Sequence, residues 1–252
     1  LSAWHWLNVR KAGIFVAASA GNNGPGTGTV GSPANSPWMI SIANASHTRK
    51  MENALVDMTS DGPDDMVGKG FTAGYGPAEI VYAGWYSGIV ITHTDSTTTT
   101  LTHDDARMCL QPFPAGTFDG EIVVCDRGQI ARIDKAINVA DGGAGGFVLL
   151  NVEPVIDWLA GDAYVIPSVH LYVADGITLK SWLTNTVVQS ATISGYTLSI
   201  TDTNADQINE SSSRGPNYVG CILKPDITAP GTDILAAVAT NHDNPAPTPE
   251  FG

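Results

Sequence analysis

The pattern of apolar and polar positions divides the chain into three stretches. Residues 1–11 end on the basic pair Arg10 and Lys11, with Gly13 just beyond. Positive side chains suit the carboxyl end of a helix dipole and glycine takes the turn that closes it, so this stretch predicts a helix. Ile14-Phe15-Val16-Ala17-Ala18 is a continuous apolar run too short for a helix and predicts a buried parallel strand. Trp38-Met39-Ile40-Ser41-Ile42 predicts another.

From about residue 73 the units become shorter. Residues 79–82, 89–92 and 121–125 predict strands, and Ile133, Ala136, Ile137 and Ala140 recur at helical spacing within 131–140. The run Gly142-Gly143-Ala144-Gly145-Gly146 stops that helix, and Phe147-Val148-Leu149-Leu150 predicts a buried strand. Further expectations are strands over 164–171 and 191–199 and a helix over 175–183. The third stretch opens at Ser211, with a loop and strand over 227–237 and a tail carrying Pro245, Pro247 and Pro249. Helices alternating with short apolar strands indicate the α/β class. In such sheets ligands meet the loops at strand carboxyl ends, here Ser19–Gly26.

Composition narrows the function. With 252 residues, 43% hydrophobic and 15% charged, the chain can bury a sizeable core, and 27 glycines and 15 prolines fit many short elements. A net charge of −13 argues against nucleic acid and anionic lipid as partners. No apolar run approaches the ~18 residues that would predict a membrane span. The opening at Leu1 and the stop at Gly252 are read as those of a piece of a longer protein. Three cysteines, few lysines and abundant Thr, Ser, Asn and Asp lean towards an oxidising compartment.

Most candidate chemistry is weak. Gly24-Pro25-Gly26-Thr27-Gly28 lacks the spacing of a dinucleotide cradle, and no helix is expected directly after it. The histidines His5, His47, His93, His103, His170 and His242 show no ligand spacing, so no metal site is expected. His103-Asp104-Asp105 and Asp64-Asp65 read as solvated loops, and no G-x-S-x-G elbow occurs.

Two segments are specific. Ala17-Ala18-Ser19-Ala20-Gly21-Asn22-Asn23-Gly24 is followed by Thr29-Val30-Gly31-Ser32-Pro33-Ala34. Far downstream come Ser211-Ser212-Ser213-Arg214-Gly215-Pro216-Asn217 and Leu223-Lys224-Pro225-Asp226-Ile227-Thr228-Ala229-Pro230-Gly231. The combination resembles the subtilisin-like serine proteases, or subtilases. The resemblance implies that Asn22 donates to the oxyanion of the tetrahedral intermediate. Without the flanking matches, Asn22 would read as a turn residue. The resemblance further implies that Ser19, Ala20 and Gly21 wall the primary specificity pocket, that Gly31 lies near its base, and that a cis bond precedes Pro33.

The middle stretch resembles the protease-associated domain inserted into many large subtilases. Asp119–Gly128, Ala140–Gly146 and Ile166-Pro167-Ser168-Val169 carry this. It implies a disulfide between Cys109 and Cys125, while Cys221 has no assigned partner. The expected organisation is a parallel-sheet catalytic domain in two parts, 1–72 and 193–252, interrupted by a smaller mixed α/β insert, 73–192. The insert would serve substrate access, protein interaction or dimer contact. The family's triad Asp and His lie upstream of the Asn22 strand and its Ser downstream of 225–231. All three are therefore expected outside this chain, which alone should be inactive. The expectation is a secreted endopeptidase acting on proteins or peptides, with no cofactor; calcium dependence stays open, since no acidic loop is dense enough to assign structural calcium. The alternative is a non-catalytic interaction module on a subtilase-like scaffold.

Overall fold

The computed structural model describes residues 3–59, 61–93, 95–153, 158–184, 188–217 and 221–234. In chain order the elements are helix α1 (Ala3–Lys11) and strands β1 (Ala17–Ser19), β2 (Ile40–Ala45), β3 (Arg49–Val56), β4 (Met66–Lys69) and β5 (Tyr75–Tyr82). There follow hairpin strands β6 (Val90–Thr92) and β7 (Thr98–Thr100), helix α2 (His103–Arg107), strand β8 (Ile122–Asp126) and helix α3 (Arg132–Asp141). The remainder are β9 (Gly146–Leu150), β10 (Ser168–Leu171), helix α4 (Val173–Leu183), β11 (Ser190–Ile193), β12 (Thr197–Ile200) and β13 (Ile227–Pro230). The chain divides into two compact units, one drawn from 1–50 and 199–235, the other from 51–198.

The first unit carries a parallel sheet of order β1-β2-β13. Ser19 and Ile227 both pair with Ile42. Helix α1 ends at Lys11, and Gly13 takes φ +83°, as its position after the helix requires. The apolar run after it behaves differently from the expectation. Ile14 and Phe15 lie outside β1 and are 56% and 64% exposed. Pairing with β2 starts only at the Val16 carbonyl, so both residues sit outside the ladder, with Arg10 stacked 5.8 Å from the Phe15 ring. Ala20, Val30 and Ala34 form a small core here. Over 227–237 the sequence predicts a loop and then a strand; instead the strand comes first, as β13 over Ile227–Pro230, paired with β2. Residues 235–252, with the rest of the expected strand and the proline-rich tail, lie outside the described residues.

The second unit is an eight-stranded sheet of order β11-β5-β8-β9-β10-β4-β3-β12, in which β11 also pairs with β3 and so closes the sheet. Its central strands β5, β8, β9 and β10 run parallel. All of β8 and β9 is buried, because both faces are covered. Ile122 and Val124 face a core shared with Leu179, Trp182 and Leu183 of α4. Val123 and Cys125 face another, shared with Ala136 and Val139 of α3 and with Phe113 and Phe118. A buried disulfide joins Cys109 to Cys125, while Cys221 in the other unit is free and exposed.

The glycine run after α3 permits close packing. At Gly145 a β-carbon would lie 2.0 Å from the Tyr75 hydroxyl, which donates to the Gly120 carbonyl at 2.7 Å. Two expected strands are shorter than their apolar patterns. That over 164–171 narrows to β10, and that over 191–199 breaks into β11 and β12 at Ser194-Gly195-Tyr196. The unit begins at Met51 and so includes β3 and β4, which the expected 73–192 boundaries leave out.

Candidate functional site

The carboxyl end of β1 delivers the chain into the loop that carries Asn22. Ser19, the last strand residue, has an exposed side chain, whereas Ala20 is buried and its amide donates to the Ile42 carbonyl at 2.8 Å. Gly21 turns the chain at φ +108°, a region that side-chain-bearing residues rarely adopt. A β-carbon there would also lie 2.8 Å from the Ser213 hydroxyl oxygen.

The loop is tied along its length to 211–215. The Ser213 amide donates to the Gly21 carbonyl at 2.9 Å, and the Asn23 amide donates to Ser213 Oγ at 3.1 Å, across a separation of 190 residues. The Gly24 amide donates to the Ser211 carbonyl at 2.9 Å, and a β-carbon at Gly24 would meet the Ser212 carbonyl oxygen at 2.1 Å. Thr29 and Arg214 exchange bonds: the Thr29 amide donates to the Arg214 carbonyl at 2.8 Å, and the Arg214 amide donates to Thr29 Oγ1 at 2.9 Å. Gly24–Gly28 is thus a docking surface for the downstream segment. Asn22 itself is exposed, and its side chain makes no hydrogen bond among the described residues.

The Lys224–Gly231 segment is anchored beside β2. Buried Lys224 donates through Nζ to the Met39 carbonyl and to Asp226 Oδ2, both at 2.6 Å. Asp226 also accepts the Ser41 amide at 2.7 Å. Burial works to raise the Asp226 pKa, but Lys224 and the Ser41 amide outweigh it and hold the carboxyl below its ordinary value. Gly31 is exposed, with open space where a side chain would project, and the Ser32–Pro33 bond is cis.

The two motif segments therefore meet in one unit around a protruding asparagine. A model of the subtilase family matches residues 2–249. The chain belongs to the subtilase family. It is 35% identical over 233 residues to subtilisin-like protease SBT5.4 of Arabidopsis thaliana, covering 90% of this chain and 28% of that protein. It is 30% identical to SBT5.3 of the same plant, over 92% of this chain and 29% of that relative. The chain thus spans under a third of the length of these relatives. Among solved structures, the psychrophilic subtilisin-like protease Apa1 of Antarctic Pseudoalteromonas sp. AS-11 aligns at TM-score 0.35 and 14% identity, over 82% of this chain and 52% of that one.

This subtilase chain has a second concentration of polar groups, which motif reading passed over, at the carboxyl ends of β8, β9 and β10. Buried Asp126 accepts Tyr82 Oη at 2.8 Å, Lys180 Nζ at 3.0 Å and Arg107 Nη1 at 3.1 Å. Desolvation, reinforced by that carboxylate, pushes the Tyr82 phenol well above its ordinary pKa. Lys135 is also buried and donates to the Met108 carbonyl; desolvation lowers its pKa to about 8. Buried His170 lies 2.9 Å from Asn151 Oδ1 through Nε2 and takes the Ala160 amide at 3.1 Å on Nδ1. Burial, helped by the charges of Arg127 and Arg132 and opposed by the Ala160 carbonyl 3.2 Å from Nδ1, lowers its pKa to about 3. Arg127 stacks on Trp158 at 4.2 Å, and Arg132 pairs with Asp162.

These groups satisfy one another and support the parallel strands. The isolated acidic motifs are structural too. His103-Asp104-Asp105 opens α2, where Thr102 and Asp105 form a reciprocal cap. Asp64, Asp65 and Asp175 line a cleft of about 430 Å³, and no group of three His, Cys, Asp or Glu suited to a metal ion occurs among the described residues.

Proposed function

We propose that this chain is the central part of a secreted serine endopeptidase that hydrolyses peptide bonds in proteins, with Asn22 as an oxyanion-hole donor. In acyl transfer the scissile carbonyl oxygen gains negative charge as the tetrahedral intermediate forms. A fixed N–H aimed at that oxygen stabilises the transition state more than the ground state. The observation that carries this reading is the geometry of Asn22, an exposed amide without a partner among the described residues, set between backbone groups that are hydrogen-bonded on both sides. Ser19, Ala20 and Gly21 would wall the pocket for the residue preceding the cleaved bond, and the open space over Gly31 fits a base that admits a large side chain.

The triad Asp, His and Ser would come from other parts of the longer protein, so the 252-residue chain alone is expected to show no peptidase activity. Residues 73–192 are read as the core of a protease-associated insert, giving substrate access, protein interaction or a dimer contact. The buried disulfide favours an oxidising, extracytoplasmic location.

The test is Asn22→Ala in the full-length enzyme. In subtilisin itself, loss of one such donor costs about 10²–10³ in kcat. The same order is expected here, with KM little changed. Wild-type kcat in that variant would reduce Asn22 to a turn residue, whereas absence of peptidase activity in the full-length protein would favour a non-catalytic scaffold bearing an interaction module.

A further inference from the structure

We propose that Ser213 is a positioning residue for Asn22, fixing the backbone from which the oxyanion donor projects; this rests on the reading of Asn22 given above. The direction of an asparagine amide depends first on the two peptide planes that flank its Cα. One plane contains the Gly21 carbonyl and the other the Asn23 amide. Ser213 holds both. Its own amide donates to the Gly21 carbonyl at 2.9 Å, and its Oγ accepts the Asn23 amide at 3.1 Å. A single buried residue thereby restrains φ and ψ of Asn22 while leaving the amide group exposed.

The adjoining serines do not share this task. Ser211 Oγ donates to Asn209 Oδ1 at 2.7 Å, and Ser212 Oγ accepts the Asn44 amide at 3.0 Å. Gly21 completes the arrangement, since a β-carbon there would press on Ser213 Oγ at 2.8 Å. Preorganised donors stabilise a transition state because they need no reorientation during the reaction. A looser supporting contact therefore lowers kcat without removing any catalytic atom.

Ser213→Ala deletes the acceptor for the Asn23 amide but keeps the backbone bond to Gly21, so only one of the two planes is released. The expected loss is about tenfold in kcat, smaller than loss of the donor itself, with KM within about twofold. Ser212→Ala is the matched control. It also orphans one backbone amide, at Asn44, but it leaves the Asn22 loop untouched and should keep wild-type kcat.

The experiment measures kcat and KM in the full-length enzyme for Asn22→Ala, Ser213→Ala, Ser212→Ala and the Asn22→Ala/Ser213→Ala pair. If Ser213 acts through Asn22, the pair is no slower than Asn22→Ala alone. A Ser213→Ala enzyme with wild-type kcat beside an impaired Asn22→Ala would overturn the positioning role and leave the oxyanion reading intact. A full additional loss in the double variant would overturn it as well. Wild-type kcat in Asn22→Ala would sink the oxyanion reading and this inference with it. Should Ser213→Ala fail to accumulate, Ser213→Cys keeps the shape with a weaker acceptor, and the same cycle is run on that variant.

Discussion

His170 makes the second unit sensitive to acid in a window that no carboxylate should dominate. The imidazole is fully buried, with Asn151 Oδ1 at one nitrogen and the Ala160 amide at the other. Asn151 Oδ1 also accepts from Arg127, so Nε2 must carry the proton and Nδ1 must accept. Protonating Nδ1 would set an N–H against the Ala160 N–H, next to the charges of Arg127 and Arg132, with the Ala160 carbonyl and Asp162 opposing. The folded pKa is about 3 against the ordinary 6.5, so the folded state binds fewer protons than the unfolded one. Stability from this group is complete above pH 6.5 and declines as pH falls towards the folded value. Between pH 8 and pH 5 the loss is about 2 kcal/mol, a figure set mainly by the unfolded pKa. Urea unfolding of the chain at pH 8, 6.5 and 5, followed by tryptophan fluorescence, measures it. His170→Gln, which offers an amide in place of the ring, should lose about 2 kcal/mol less than wild type over that interval. Equal losses in the two proteins would refute the argument. So would a histidine NMR titration that places the His170 midpoint above pH 5.

Other expectations concern the fold of the same unit. Cys109→Ser/Cys125→Ser opens a loop of 16 residues and should cost about 3 kcal/mol; a non-reduced digest showing both as free thiols in the native protein would contradict it. Gly145→Ala drives a methyl group into the Tyr75 ring and should cost about 1–3 kcal/mol, read as a drop in Tm. Lys135→Met removes a buried cation and should raise Tm at pH 7; a lower Tm would show that the bond to the Met108 carbonyl outweighs desolvation. A fragment of residues 51–198 should unfold cooperatively. One of 73–192 should not, because it strips β3 and β4 from β11 and β10.

What was legible in the sequence follows from local physics. The buried run of β8 sits between Gly120 and Gly128, that of β9 follows the glycine run, and α3 has helical apolar spacing, so these elements needed no tertiary information. Asn22 was legible because its loop carries a motif, and the small residues of that motif are those the close contacts with 211–215 demand. Strands β3 and β4 were missed because Arg49–Val56 mixes charged and apolar residues, while Met66–Lys69 contains Gly68. That glycine is required by a contact far away in sequence, since a β-carbon there would lie 2.3 Å from the His170 carbonyl oxygen. The exposure of Ile14 and Phe15 was likewise invisible, because an apolar run records preference and not what covers it. His170 looked like one of several scattered histidines; only the parallel strand order brings it to Asn151 and the loop containing Ala160 and Asp162.

The pairing of β3 with β12 has a consequence for how the molecule is made. The Asn22 loop leaves the ribosome about 190 residues ahead of Ser213, a delay on the order of 10 s at ordinary synthesis rates. During that interval β2 has β1 on one side and no β13 on the other, and the loop has nothing to close upon. Once residues 51–198 have folded, their first and last strands lie side by side, and the long intervening chain behaves as a short connector. Compared with joining the two motif segments across an unfolded chain of that length, this lowers the entropic cost of closure by about 1 kcal/mol. Folding of the second unit, residues 51–198, is therefore expected to shorten the loop that must close before the Asn22 segment meets 211–215. Mutations that slow that folding would delay the site without touching it.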